Sequence, residues 1–283
     1  MESSLTADRR PRRRIRDRAK IQNGLSIIPS LFTIGNIFCG YYAIISTLRG
    51  NYDYAAVAIG VGTVLDTLDG RIARLTKTAS EFGVQLDSLA DVLTFGAAPA
   101  MLAFAWGLTT TEGIEANIAQ HVRQLGWLAT FAFVVCSALR LARFNIQSVR
   151  KTPETGSKRY FVGLPTPAAA GTIAAVVHFF KAPILLIGSA LLWCLLILLV
   201  SFLMISTVRY DSFKEFDARK YGPRFALFAT AMLIGLVIFY SEIVLLLLAA
   251  IYVSSGPIMK LVQVVRRFLP SRVSPGEPEH GKP

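Results

Sequence analysis

The stretch DTLDGRIARLTKTASEFGVQLDSLAD, residues 66–91, carries four aspartates: Asp66, Asp69, Asp87 and Asp91. Apolar runs flank it, AAVAIGVGTVL (55–65) before and VLTFGAAPAMLAFAW (92–106) after. A transmembrane helix needs about 20 mostly apolar residues, and the two runs read as spans over roughly 53–70 and 84–106. Carboxylates at the edge of a span are costly and point to function. Spacings of three and four residues put Asp66 with Asp69, and Asp87 with Asp91, on one face of their helices. The connection, about residues 70–83, is short. The two helices are therefore expected to be antiparallel neighbours, with four carboxylates converging on one cavity. Left alone, the four would repel one another, and burial would force protons onto some of them. Divalent cations relieve that repulsion, and hard oxygen ligands favour Mg²⁺, Mn²⁺ or Ca²⁺.

The residues between the pairs suit a phosphate. Gly70 lets a ligand approach the backbone closely. Ala73 is small and lies four residues after Asp69, Arg74 offers a planar fork for phosphate oxygens, and Gly83 would open the third helix. Arg71 and Lys77 read only as membrane-flanking anchors.

Moving outward, apolar runs recur at about 29–48, 125–142, 164–180, 184–207, 225–240 and 243–262, which with the first two makes eight. The runs at 164–180 and 225–240 are short. The 283 residues are 53% hydrophobic and only 17% charged, with a mean hydropathy of +0.49. Soluble domains carry about 25% charged residues. That excludes a disordered chain, a collagen and an ordinary soluble domain. The expected fold class is an all-α polytopic membrane protein of about eight helices. Residues 1–24 and 265–283 read as disordered tails, the first rich in arginine. No A-x-A-like site follows the first apolar run, so it reads as a retained helix rather than a signal peptide.

Lysines and arginines divide 27 to 3 between alternate connections, with only Arg49, Arg123 and Lys181 on the minor side. The positive-inside rule then puts both termini and the aspartates in the cytoplasm, and the chain in a cell (inner) membrane. It also accounts for most of the net charge of +12. The run Arg9-Arg10-Pro11-Arg12-Arg13-Arg14 has no interleaved aromatics, so it reads as an anchor for anionic lipid rather than a nucleic-acid arm. Cys39, Cys136 and Cys194 sit in apolar runs as small hydrophobes. His121, His178 and His280 suggest no triad or metal cluster.

The pattern Asp66-x2-Asp69-Gly70-x2-Ala73-Arg74-x8-Gly83-x3-Asp87-x3-Asp91 resembles the signature of the CDP-alcohol phosphatidyltransferase family at all eight fixed positions. The resemblance covers about the first six helices, so residues 25–207 read as the family core and 208–264 as two further helices. It implies a divalent-metal-dependent transfer, with two Mg²⁺ or Mn²⁺ ions, in which an alcohol attacks the phosphatidyl phosphorus of a CDP-linked lipid and CMP leaves. Asp66, Asp69 and Asp87 are implied as metal ligands. Asp91 is implied as the general base and as a further ligand. Gly70, Ala73, Arg74, Gly83, Thr33 and Asn36 are implied as the cytidine diphosphate site.

Three further segments resemble the phosphatidylserine synthase branch: Pro29–Gly40, Leu139-Arg140-Leu141-Ala142-Arg143-Phe144-Asn145 and Gly163-Leu164-Pro165-Thr166-Pro167. Ser30 departs from that branch, which commonly has Asn there. The resemblance implies CDP-diacylglycerol and L-serine as substrates, in contact with membrane lipids, and a homodimer. Arg140 and Arg143, three residues apart at the end of the fourth helix, suit the serine carboxylate, because a guanidinium is a bidentate partner. Glycerol 3-phosphate, choline and inositol phosphate remain as other acceptors. A transporter would gather its carboxylates near the midplane of an inverted repeat, and no such repeat is present.

Overall fold

The computed structural model describes residues 27–76, 81–109, 116–149, 161–210 and 223–268. The predicted tail 1–24, residues 269–283 of the predicted tail 265–283, and most of the connection after Thr76 lie outside them, whereas residues 265–268 of that second tail are helical and not disordered. The first helices are α1 (Ile27–Leu48), α2 (Tyr52–Thr76) and α3 (Glu81–Asp91). A π-helical turn, Val92–Ala97, leads into α4 (Ala98–Gly107). There follow α5 (Ala116–Val149), α6 (Thr166–Phe180), α7 (Ile187–Ile205), α8 (Pro223–Phe239) and α9 (Ser241–Phe268). Because Phe82–Gly107 is one continuous apolar stretch, the described residues form eight helical spans, as the apolar runs predict.

Five of the spans are long and apolar enough to cross a membrane, and Thr166–Phe180 and Leu227–Phe239 are shorter apolar helices. The remaining span, α2, is diluted by Asp53, Asp66, Asp69 and Arg71. Three helices run well past their predicted bounds, α9 reaching Phe268 instead of about 262. α2 continues to Thr76 and α5 covers 34 residues, about 51 Å at 1.5 Å per residue. Hydropathy marks only the apolar stretch, whereas polar helix formers such as RIAR (71–74) carry the same helix onward.

The surface and the interior are inverted relative to a soluble protein. Leu31, Phe38, Leu192, Leu195, Phe202, Phe228 and Ile238 are exposed, while Asn36, Asp69, Thr94, Ser137 and Thr166 are buried. Lipid explains the first set. Close approach of the helices explains much of the interior, through small residues such as Ala43, Ala55, Ala98, Ala170 and Ala174. Gly40 and Gly62 admit the π turn: a Cβ on Gly40 would lie 2.9 Å from the Thr94 Cα, and one on Gly62 2.7 Å from Thr94 Cγ2.

A two-residue antiparallel pairing, β1 (Phe161–Val162) with β2 (Arg209–Tyr210), was not predicted. It returns the chain after α7 to the start of α6. Gly163 has φ +85°, and a Cβ there would sit 2.4 Å from the Met204 carbonyl oxygen. Pro165 and Pro167 then start α6, with Pro167 in its first turn, where no amide N–H is needed.

His178 is more informative than its sequence context suggests. Its Nδ1 lies 2.5 Å from Asp53 Oδ1 and its Nε2 2.9 Å from Ser241 Oγ. These bonds tie α2, α6 and α9 together, and the Lys181–Glu242 ion pair lies beside them. Asp53 is 13 residues before Asp66 on the same helix, about 20 Å away. Each hydrogen bond contributes roughly 1 kcal/mol net. His178→Ala is therefore expected to lower the thermal midpoint in detergent while leaving the activity per folded molecule unchanged. Equal midpoints for variant and parent would refute the tie.

Candidate active site

α2 and α3 bring three of the four aspartates together. One carboxylate oxygen each from Asp66, Asp87 and Asp91 lies within 4.8 Å of the others. Asp69 lies one turn further along α2 from Asp66, is 5% exposed and accepts a hydrogen bond from Thr33 Oγ1 on α1. It remains within electrostatic range of Asp66 and Asp87. Thr33 is thus turned onto a carboxylate.

Asn36, one turn after Thr33, is buried between α1, Gly62 and the π turn. Its backbone carbonyl accepts from Thr94 Oγ1 at 2.9 Å. Gly70 is exposed on α2, and Gly83 is half-buried on α3. The backbones of Ala73 and Arg74 belong to α2, but their side chains lie outside the described residues.

The π turn begins immediately after Asp91. A π turn inserts a residue into the helical repeat and is frequent at functional sites. Here it packs Gly96 against Ser137 of α5: a Cβ on Gly96 would lie 3.2 Å from Ser137 Oγ. One turn beyond Ser137 is Arg140. Its Nη1 donates to Thr166 Oγ1 at 3.1 Å, and its guanidinium is within electrostatic range of Asp91. Arg143 is exposed on the same helix and within electrostatic range of Arg140. Asn145 Nδ2 donates to Ser88 Oγ at 2.9 Å, which fixes the end of α5 to α3.

Buried polar groups are nearly always hydrogen-bonded. Among the described residues, the buried side-chain atoms without a partner are Asn36 Nδ2 and Oδ1, Asp91 Oδ1, Ser137 Oγ and Arg140 Nε. They lie on α1, α3 and α5, three of the helices that the π turn packs against. Donors, acceptors and converging carboxylates in one place can hold a polar, anionic ligand together with cations. Sequence reasoning missed Ser137 and Thr166 as members. Thr166 at least stood inside the quoted Gly163–Pro167 segment, whereas Ser137 lies in an apolar run and gave no signal.

This chain belongs to the CDP-alcohol phosphatidyltransferase family, which matches residues 26–200. Its relatives narrow the comparison further. The CDP-diacylglycerol–serine O-phosphatidyltransferase of Helicobacter pylori is 34% identical over 199 residues, 68% of this chain and 75% of that protein. The Bacillus subtilis protein of the same name is 37% identical over 195 residues, covering 69% of this chain and 95% of its own. The one from Saccharomyces cerevisiae is 39% identical over 155 residues, covering 52% and 51%.

Proposed function

We propose that this protein transfers the phosphatidyl group of CDP-diacylglycerol to the hydroxyl of L-serine, giving phosphatidylserine and CMP. The observation that carries the reading is the convergence of Asp66, Asp87 and Asp91 beside Arg140, and the names of the relatives support the choice of acceptor. The serine hydroxyl oxygen attacks the phosphorus that bears the diacylglycerol. The bond from that phosphorus to the bridging oxygen of the pyrophosphate breaks, and CMP departs with the electron pair. Asp91 Oδ1, which is buried and without a partner, takes the hydroxyl proton. Thr33 holds Asp69 in place. Gly70, Ala73, Arg74 and Gly83 line the nucleotide, and Asn36 contacts it from α1. Arg140 receives the serine carboxylate, with Arg143 outside it.

The three carboxylate oxygens form an all-oxygen donor set that fits hard divalent cations, Mg²⁺ or Mn²⁺. Asp66, Asp87 and Asp91 would hold them, with Asp69 completing a two-ion site. Such ions, when bound, neutralise the pyrophosphate and polarise the reacting phosphoryl group. The family resemblance also supports a homodimer, readable as the mass of the detergent-solubilised particle.

The 27 to 3 division of basic residues supports a cytoplasmic active site in the inner membrane. One experiment tests activity and orientation together. Sealed inverted vesicles containing the protein and CDP-diacylglycerol should release CMP when serine is added outside. They should not do so with glycerol 3-phosphate, choline or inositol phosphate, and right-side-out vesicles should stay silent with serine. CMP release with another acceptor alone overturns the substrate, and release only from right-side-out vesicles overturns the orientation.

A further inference from the structure

The helix pair α8–α9 lies beyond the family-matched residues 26–200, yet α9 packs along α6. The outward side of the pair is apolar, with Leu227, Phe228, Ile238, Leu247 and Ile251 exposed. Its inward side is different. The β1–β2 pairing delivers Tyr210, fully buried, against α9. The Tyr210 ring fits where Gly256 has no side chain: a Cβ there would lie 2.4 Å from the ring's Cζ. The Tyr210 hydroxyl donates to the Val253 carbonyl at 3.2 Å. Burial, and secondarily Tyr252, push its pKa up to about 12, so it is a neutral donor.

That clip fixes the neighbour of Val253. Tyr252 lies with its ring centroid 5.6 Å from that of Tyr210 and packs, half-buried, against the core. It is also within electrostatic range of the Arg140 guanidinium. Arg140 therefore has Asp91 and Tyr252 as electrostatic neighbours, Thr166 on Nη1, and a buried Nε with no partner among the described residues. Arg140 is bonded to Thr166 at the start of α6, the helix on which α9 packs, so the clip at Tyr210 and the buried arginine belong to one neighbourhood.

We propose that Tyr252 is a specificity-determining residue of the acceptor site, its phenol hydroxyl and the Arg140 guanidinium together seating the acceptor carboxylate with the acceptor hydroxyl turned to Asp91. The inference rests on the serine reading above and assigns a task to the appended helices. A phenol both accepts from a guanidinium and donates to a carboxylate, so it can link the two. Phenylalanine keeps the ring that packs on Tyr210 and removes the hydroxyl.

The test uses the purified full-length protein with CDP-diacylglycerol and measures initial rates of CMP release over a range of serine concentrations. Tyr252→Phe should raise the serine KM by about 10-fold, the lower end for a hydrogen bond to a charged group. The CDP-diacylglycerol KM should stay within about twofold, because the ring and its packing on Tyr210 are kept. Three results would overturn the inference. An unchanged serine KM in Tyr252→Phe, with a raised one in Arg140→Ala, leaves serine as the acceptor and makes Tyr252 a packing residue. Parallel loss in the KM of both substrates makes its effect structural. A parent protein that does not use serine removes the acceptor reading itself, and this inference with it.

Discussion

Asp91→Asn is expected to lower CMP release by about 10³-fold or more, with the protein still folded in detergent. General-base catalysis alone contributes about 10²–10⁴-fold, and Asp91 also belongs to the proposed donor set. The substitution is nearly isosteric, so the packing around the π turn keeps its volume. It also removes one negative charge from a place where oxygens of Asp66, Asp87 and Asp91 lie within 4.8 Å of each other. Relief of like-charge repulsion should hold the thermal midpoint level or raise it. Loss of activity with unchanged or higher stability is the signature of a functional rather than a structural carboxylate. Removing divalent cations from the parent with EDTA should abolish turnover equally, and Mg²⁺ or Mn²⁺ should restore it in the parent but not in the variant. Turnover that survives both Asp91→Asn and EDTA would refute the proposed chemistry.

What could be read from the sequence follows the range of the interactions. Asp66 with Asp69, and Asp87 with Asp91, are three or four residues apart, so helical periodicity alone places each pair. The short connection then makes their helices neighbours. The eight spans were legible because membrane crossing requires continuous apolar runs. The π turn was not, since VLTFGA has the composition of any apolar helix and its extra residue is set by packing of Thr94 against Gly40 and Gly62. Contacts between distant segments were equally hidden. Thr33 reaches Asp69 across 36 residues, and His178 reaches Asp53 across 125 and Ser241 across 63. Tyr252 stands in an apolar run, and its packing on Tyr210, 42 residues earlier, left no mark on that run. Such pairings depend on how helices assemble, and local spacing carries no trace of them.

Arg140→Ala should raise the serine KM by about 10–150-fold and leave the CDP-diacylglycerol KM nearly unchanged. The sequence offered Arg140 and Arg143 as a pair, and the structure separates them. Arg143 is exposed, whereas Arg140 is half-buried, bonded to Thr166 and within electrostatic range of Asp91. A charge-assisted contact is stronger away from water, where less screening opposes it. Contacts of this kind are worth roughly 1.5–3 kcal/mol, and about 1.36 kcal/mol corresponds to tenfold. Arg143→Ala should therefore change the serine KM by much less. Arg140→Lys should recover only part of the loss, because an ammonium lacks the planar fork that meets both carboxylate oxygens. If Arg140 instead served the nucleotide, the loss would appear in the CDP-diacylglycerol KM. If it served only as a membrane anchor, both constants would stay at parental values. Either result would move the acceptor pocket away from the end of α5, and Arg140 would then have to be explained by its bond to Thr166 alone.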